Sequence, residues 1–158
     1  MTNKTSEHTV NLSRFIDAQK ATYITALSEL ALGKKKTHWM WYIFPQLIGL
    51  GYSKIAIYYA IKNEEEAREY LKHSILGQRL RECTEAILSL KKTSALEVFG
   101  YPDNLKLKLS MTLFLYVSEE DIYSQVLDKF FDGEQDVNTI KILDRTILET
   151  KEENLLKS

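Results

Sequence analysis

The residues best suited to chemistry are concentrated in one stretch, KKKTHWMWYIFPQLIGLG, which spans residues 34–51. This Trp-rich segment contains both tryptophans of the chain, Trp39 and Trp41, together with His38. A histidine has an unperturbed pKa of about 6.5, so His38 is a candidate general acid or base. The flat indoles could stack on a base, a nicotinamide or a sugar. The alternative is that His38 bonds a backbone carbonyl and that at least one indole anchors an irregular loop to the core.

Polar residues in and beyond this segment could complete a ligand site. Gln46 lies among large apolar residues, so its amide needs partners from the backbone or from a ligand. Gln19 falls on the apolar stripe of the first predicted helix and is expected to point inward. If chemistry occurs, His38 would be the general base, and either Lys106 or a helix N-terminus would stabilise an anion. The predicted ligand-binding residues are Gln19, Tyr23, His38, Trp39, Trp41, Gln46, Lys106 and Ser110.

Several of these residues also have a simpler structural interpretation. The hydroxyls of Ser110 and Thr112 interrupt an apolar helix and are expected to bond carbonyls of the preceding turn. The lysines at 34–36 follow a predicted helix end, where cations are favourable and commonly solvated. Cys83 lies on an apolar helix face, which predicts a buried and inert thiol.

Metal and cofactor sites lack support in the sequence. The histidines His8, His38 and His73 are far apart and have no local partner pattern, so no metal site is predicted. The chain has neither a phosphate-loop glycine pattern nor a GxSxG elbow, and no cofactor is predicted.

Composition narrows the class of protein. The chain has 158 residues, 44% of them hydrophobic and 27% charged, with a net charge of -1. These values predict a globular protein without the basic excess of a general nucleic-acid binder. No apolar run approaches the roughly 20 residues needed to span a bilayer, and the first residues lack the apolar core of a signal peptide. A cytoplasmic location is therefore expected.

Hydrophobic periodicity predicts an all-α fold of about seven or eight short helices in one compact domain. Residues 1–10 are expected to be flexible, 11–149 to form the helical domain, and 150–158 to form a charged tail. Apolar residues at 101–117 alternate like a strand but also fit a helix stripe; the length and the missing partner strand favour a central helix. The last helix is predicted from Val137 to Leu148.

Five stretches resemble a known bacterial and fungal family, the domain of unknown function 1810, which also carries a calpastatin-like label. They are LSRFIDAQ (12–19), HWMWYIFPQLIGLG (38–51), YLKHSILGQRLREC (70–83), VFGYPDNLKLKLSMTLF (98–114) and FFDGEQD (130–136). The resemblance covers nearly the whole domain and implies an all-helical fold without an established activity. It also implies a serine where this chain has Leu109. Calpastatin inhibitory segments are disordered, whereas this composition is that of a folded core, so the label supports no functional expectation.

Three hypotheses for function follow from these observations. The first is a small-ligand pocket around the Trp-rich segment, suited to a nucleotide-like or phosphorylated molecule. The second is a protein or peptide interaction module that uses an exposed tryptophan, Tyr42 and Phe44 with a lysine rim. The third is a purely architectural segment. The sequence leaves open whether the protein is an enzyme and which partner protein, if any, it has.

Overall fold

The computed structural model describes residues 10–157, and this part of the chain contains nine α-helices. They are α1 (Ser13–Leu32), α2 (Met40–Ile43), α3 (Lys54–Tyr59), α4 (Glu64–Lys72), α5 (Leu76–Leu88), α6 (Ala95–Phe99), α7 (Asp103–Val117), α8 (Ile122–Phe131) and α9 (Val137–Lys157). The predicted all-α class is confirmed. The helices are slightly more numerous than predicted because the Trp-rich segment forms a one-turn helix of its own.

Local capping explains several helix starts. The Asn63 side chain accepts a hydrogen bond from the Glu66 amide at 2.8 Å, as the capping-box spacing predicts. The hydroxyls of Ser53 and Ser94 cap α3 and α6 in the same way. At the other end of α1, Gly33 adopts the left-handed conformation with φ 78° and terminates the helix.

Helix α7 lies at the centre of the packing and contacts α4, α6, α8 and α9. Its buried residues are Leu107, Ser110, Met111, Thr112, Leu113 and Phe114. These residues are distributed around most of the circumference of the helix instead of forming one stripe. This distribution explains why the apolar pattern of the stretch fits both the helical and the strand period. The predicted central helix at 101–117 is confirmed.

The N-terminal residues are not described, and the C-terminal helix is longer than the sequence predicts. Residues 1–9, and with them His8, lie outside the described residues. Helix α9 begins at Val137, as predicted, but it continues to Lys157 instead of ending near Leu148. The extension carries alternating charges and good helix formers, and beyond Ile147 its side chains are exposed.

A buried carboxylate fixes the path of the chain after α1. Glu29, only 7% exposed, accepts hydrogen bonds from the amides of Lys36 and Thr37, the Thr37 hydroxyl and the Trp39 indole, at 2.8–3.0 Å. Burial by itself raises the pKa of Glu29, but these four bonds outweigh it and lower the pKa to about 2. The amides of Lys36 and Thr37, in the irregular backbone after α1, are thus satisfied by a side chain.

Lys35 ties the same turn to the start of α7. Its amide donates to the Val98 carbonyl at 2.7 Å, and its ammonium lies 2.9 Å from an Asp103 carboxylate oxygen. The ammonium also lies 5.1 Å from the Trp39 ring centre. The Trp-rich segment is therefore held between α1 and α7.

We expect Gly77→Ala to lower the free energy of unfolding by about 3 kcal/mol, the upper end for overpacked sites. A Cβ at this position would lie 2.1 Å from the Leu71 carbonyl oxygen, a backbone atom that cannot move without shifting α4. Urea unfolding measures the effect. The control is Gln78→Ala at the neighbouring exposed position, which should change stability by less than about 0.5 kcal/mol. Equal stability of the two variants would contradict the packing described.

We expect Glu29→Gln to lose about 3 kcal/mol of stability near neutral pH, because the amide replaces one charged acceptor oxygen with a donor. The folded pKa lies below the ordinary value of 4.5, so the stabilisation is present above that pH and is lost as the pH falls toward 2. The difference in the free energy of unfolding between the wild type and Glu29→Gln, measured by urea unfolding, should therefore be smaller at about pH 3 than at neutral pH. Glu85→Gln, at an exposed position, is the control. If this difference in the free energy of unfolding did not change with pH, the charge of the Glu29 carboxylate would not be the source of the stabilisation.

Candidate functional site

The middle of the Trp-rich segment contributes to the core through Trp39, Met40, Tyr42, Ile43 and Phe44. Trp39 is 1% exposed and packs in an aromatic cluster with Phe44 and Phe99, at ring-centre distances of 6.4 Å to each. His38 is exposed, and its carbonyl oxygen accepts a hydrogen bond from the Tyr42 hydroxyl at 3.4 Å. Tyr42 itself is only 8% exposed. The aromatic residues expected to form an interaction patch are thus largely inside the protein.

Gln19 lies in a buried polar network between α1 and its neighbours. Its amide nitrogen donates to the Tyr42 carbonyl at 2.7 Å and to the Tyr70 hydroxyl at 3.1 Å. Its amide oxygen accepts from the Arg79 guanidinium at 3.3 Å. The inward orientation expected from the apolar stripe is observed, and protein groups occupy both ends of the amide.

Tyr23 is engaged by α5. Its hydroxyl donates to the Glu82 carboxylate, and the Arg79 guanidinium lies 4.7 Å from its ring centre. Burial, reinforced by the hydrogen bond to Glu82, raises the pKa of Tyr23.

Burial also raises the pKa of the neighbouring Cys83 thiol to about 12, so the thiol stays protonated and unreactive, as its position on an apolar face predicts.

The two hydroxyls on α7 behave differently. Thr112 bonds the Lys108 carbonyl of the preceding turn at 2.8 Å, as expected. The Ser110 hydroxyl is fully buried and has no hydrogen-bond partner among residues 10–157, which corrects the expectation that it bonds the preceding turn. Leaving that hydroxyl unpaired costs about 1–3 kcal/mol.

Three of the predicted ligand-binding residues share one cavity. Trp41, Gln46 and Lys106 line an enclosed space of about 10 Å³, which is large enough for about one water molecule. This space shares Gln46, Ala56 and Lys106 with a much larger opening, the Gln46 cleft, whose volume is about 470 Å³. The Gln46 cleft is lined by Gln46, Leu50, Gly51, Tyr52, Ser53, Ala56, Pro102, Leu105, Lys106, Leu109, Asp136 and Asn138.

The backbone of Gln46 is fixed, whereas its side-chain oxygen is unsatisfied. The Gln46 carbonyl accepts from the Ile61 amide at 2.8 Å, beside a parallel bridge between Leu47 and Ile61. The side-chain oxygen Oε1 is buried and has no hydrogen-bond partner in the described part of the chain. A Cβ at position 51 would lie 3.0 Å from the amide nitrogen Nε2 and 2.9 Å from the Ala56 Cβ, so Gly51 leaves the room that the Gln46 amide needs.

Lys106 supplies a cation at the same end of the cleft. Its ammonium lies 4.9 Å from the Trp41 ring centre and 3.3 Å from an Asp103 carboxylate oxygen. Asp103 also pairs with Lys35, so one carboxylate serves two lysines and the cluster retains an excess of positive charge. Asp136 lines the cleft, and its carboxylate accepts hydrogen bonds from the amide and hydroxyl of Thr139 at 2.9 and 2.7 Å.

Sequence reasoning missed the opposite wall of the cleft, above all Tyr52, Leu105 and Asn138. Tyr52 is 86% exposed and Leu105 is 46% exposed. The glycines on either side of Leu50 mark a loop that folds back on itself, which is a sequence signal for Tyr52. Leu105 and Asn138 come from distant parts of the chain, and no local signal joins them to Gln46.

Two further findings concern residues 10–157 as a whole. None of the helices there is both long enough and apolar enough to cross a bilayer. Within the same range, histidine, cysteine and acidic side chains form no group of three or more that could bind a metal ion.

Comparison with known proteins gives two similarities. Residues 9–143 match the sequence profile of the family described as a protein of unknown function, DUF1810. The crystal structure of the conserved hypothetical protein Rv1873 from Mycobacterium tuberculosis is similar, with 43% sequence identity and a TM-score of 0.83 over 84% of this chain and 96% of that chain. The search of curated proteins gave no match.

Both descriptions leave activity open, and neither carries the calpastatin-like label. The profile match covers most of the chain, and the similar structure extends over nearly the same fraction. The chain therefore belongs to the DUF1810 family.

Proposed function

We propose that the protein binds a small nucleotide-like molecule in the Gln46 cleft. The observation that supports this proposal most directly is the buried, unpartnered Oε1 of Gln46 in the cleft lining. An unsatisfied buried acceptor costs about 1–3 kcal/mol, which a hydrogen-bond donor on a ligand would offset. An amino group on a heterocyclic base or a sugar hydroxyl would provide that donor.

The size and lining of the cleft suit such a ligand. Its volume of about 470 Å³ lies within the range of small-molecule sites, about 300–1,000 Å³. Apolar contacts come from Leu50, Leu105 and Leu109, and the exposed ring of Tyr52 offers a stacking surface. Asn138 adds an amide that can both donate and accept.

The proposal concerns binding and assigns no catalytic step. His38, the candidate general base, is exposed and does not line the Gln46 cleft. An interaction patch built on Trp39, Tyr42 and Phe44 is less favoured, because all three side chains are buried. Concave shape together with an unsatisfied polar group favours a small ligand over a flat protein surface.

Two glutamine-to-methionine substitutions separate ligand recognition from structural support. Gln46→Met removes an amide without side-chain hydrogen bonds, so it should leave the free energy of unfolding unchanged or higher. Gln19→Met removes an amide bonded at both ends and should cost about 1–3 kcal/mol. Urea unfolding of both variants checks this contrast. A marked loss of stability in Gln46→Met would mean that the amide has a structural role, and the proposal would lose its main support.

The proposed function is tested by a thermal-shift screen of nucleotides, NAD, ADP-ribose and sugar phosphates against the wild type, Gln46→Met and His38→Ala. A ligand at 100 times its Kd should add about 2.7 kcal/mol, which raises the Tm by roughly 5–10 °C for a domain of this size. We expect Gln46→Met to lose the shift and His38→Ala, the control outside the cleft, to keep it. A shift that survives in Gln46→Met would place binding elsewhere, and the absence of any shift in the wild type would reject a nucleotide-like ligand.

A further inference from the structure

We infer that Lys141 and Arg145 hold a phosphate group of the ligand whose ring lies in the Gln46 cleft. This inference rests on the function proposed above and gives the ligand an orientation. It concerns a second cavity, of about 350 Å³, that continues from the Gln46 cleft along α9. The lining of this α9 cavity is Gly49, Leu50, Tyr52, Asn138, Lys141, Ile142 and Arg145.

The two cavities adjoin each other. They share Leu50, Tyr52 and Asn138, so a molecule that passes over these residues would contact both cavities. Tyr52 stands at the junction with 86% of its surface exposed. This position suits a ring that stacks on a ligand passing between the two cavities.

Two cationic side chains, those of Lys141 and Arg145, line the α9 cavity. Lys141 and Arg145 are spaced four residues apart and therefore lie on the same helix face, where like charges repel each other. Within residues 10–157, no carboxylate lies within 4.0 Å of either cation. Asp144, three residues after Lys141, accepts a hydrogen bond from the Tyr116 hydroxyl at 2.8 Å and forms no salt bridge with either cation within the described residues. No acidic residue lines the α9 cavity.

A glycine allows the loop to form the second wall of this cavity. Gly49 has a φ of +96°, and a Cβ there would already lie in contact with Ile142, 3.4 Å from its Cδ1. The loop and the two cations therefore line one concave space beside α9.

The proposed orientation of the ligand follows from comparing Lys141 and Arg145 with Lys106, the cation that lines the Gln46 cleft. The Lys106 ammonium already contacts Asp103 and the Trp41 ring, so much of its charge is committed. Lys141 and Arg145 have no salt-bridge partner in the part of the chain that the structure describes, and a guanidinium can bind a phosphate through two parallel hydrogen bonds. The ligand class is an elongated molecule with a flat, donor-bearing ring beside Gln46 and a phosphate group at α9.

The test measures binding of inorganic pyrophosphate by calorimetry at low ionic strength, which probes the phosphate subsite without a ring. The wild type is compared with the double variant Lys141→Gln/Arg145→Gln and with Lys91→Gln/Lys92→Gln, which removes the same charge at exposed positions outside both cavities. We expect the first variant to weaken binding at least about tenfold, because charge-assisted bonds are lost, and the control to change it less than about twofold.

Equal weakening in both double variants, or no pyrophosphate binding to the wild type, would overturn the phosphate subsite. The proposed function fails by a different result, namely that no nucleotide in the thermal-shift screen depends on Gln46. A nucleotide that needs Gln46 but binds equally well to Lys141→Gln/Arg145→Gln would reject the subsite alone. Removing the two like charges relieves repulsion on α9, so the variant is expected to fold.

Discussion

The buried carboxylate of Glu29 is the constraint on which the Trp-rich segment depends. The chain leaves α1 at Gly33 and runs without regular structure to α2, and the amides of Lys36 and Thr37 have no backbone carbonyl partner among the described residues. Glu29 accepts hydrogen bonds from both, together with a hydroxyl and an indole N–H. A charged acceptor with several donors offsets its own desolvation, which a neutral side chain there would not do. The indole bond then fixes Trp39 in the core.

Fixing Trp39 also determines what its neighbours can do. Residues two apart on one helical turn point in different directions, so Trp41 faces the cavity beside Gln46 while Trp39 faces the core. After the turn, hydrogen bonds between the Ile61 and Gln46–Ile48 backbones hold the chain as it passes the cleft. The cleft wall is therefore attached to the core on both sides. A wall held in this way loses little conformational entropy when a ligand binds.

The sequence predicted those parts of the fold that depend on local interactions. The caps at Ser53, Asn63 and Ser94 act within three residues, and their positions agree with the sequence pattern. The sequence of α7 fits both a helix and a strand, because the helix is buried on most sides. The spacing of its apolar residues therefore distinguishes poorly between the two structures. The length of α9 was underestimated because its exposed extension depends on helix propensity and lacks an apolar stripe that would mark its end.

The site was less predictable because its character depends on contacts between distant residues. Gln19 and Gln46 look alike in sequence: each is an amide among apolar neighbours that needs partners. The difference arises in three dimensions, where the Tyr42 carbonyl and the Tyr70 hydroxyl reach Gln19, while no group of residues 10–157 bonds the side-chain oxygen of Gln46. The buried side-chain oxygen of each glutamine carries a desolvation penalty, but only that of Gln19 has a partner among residues 10–157. An unpaired acceptor that lines an open cleft is therefore a stronger indication of binding than the histidine and indoles that stand out in the sequence.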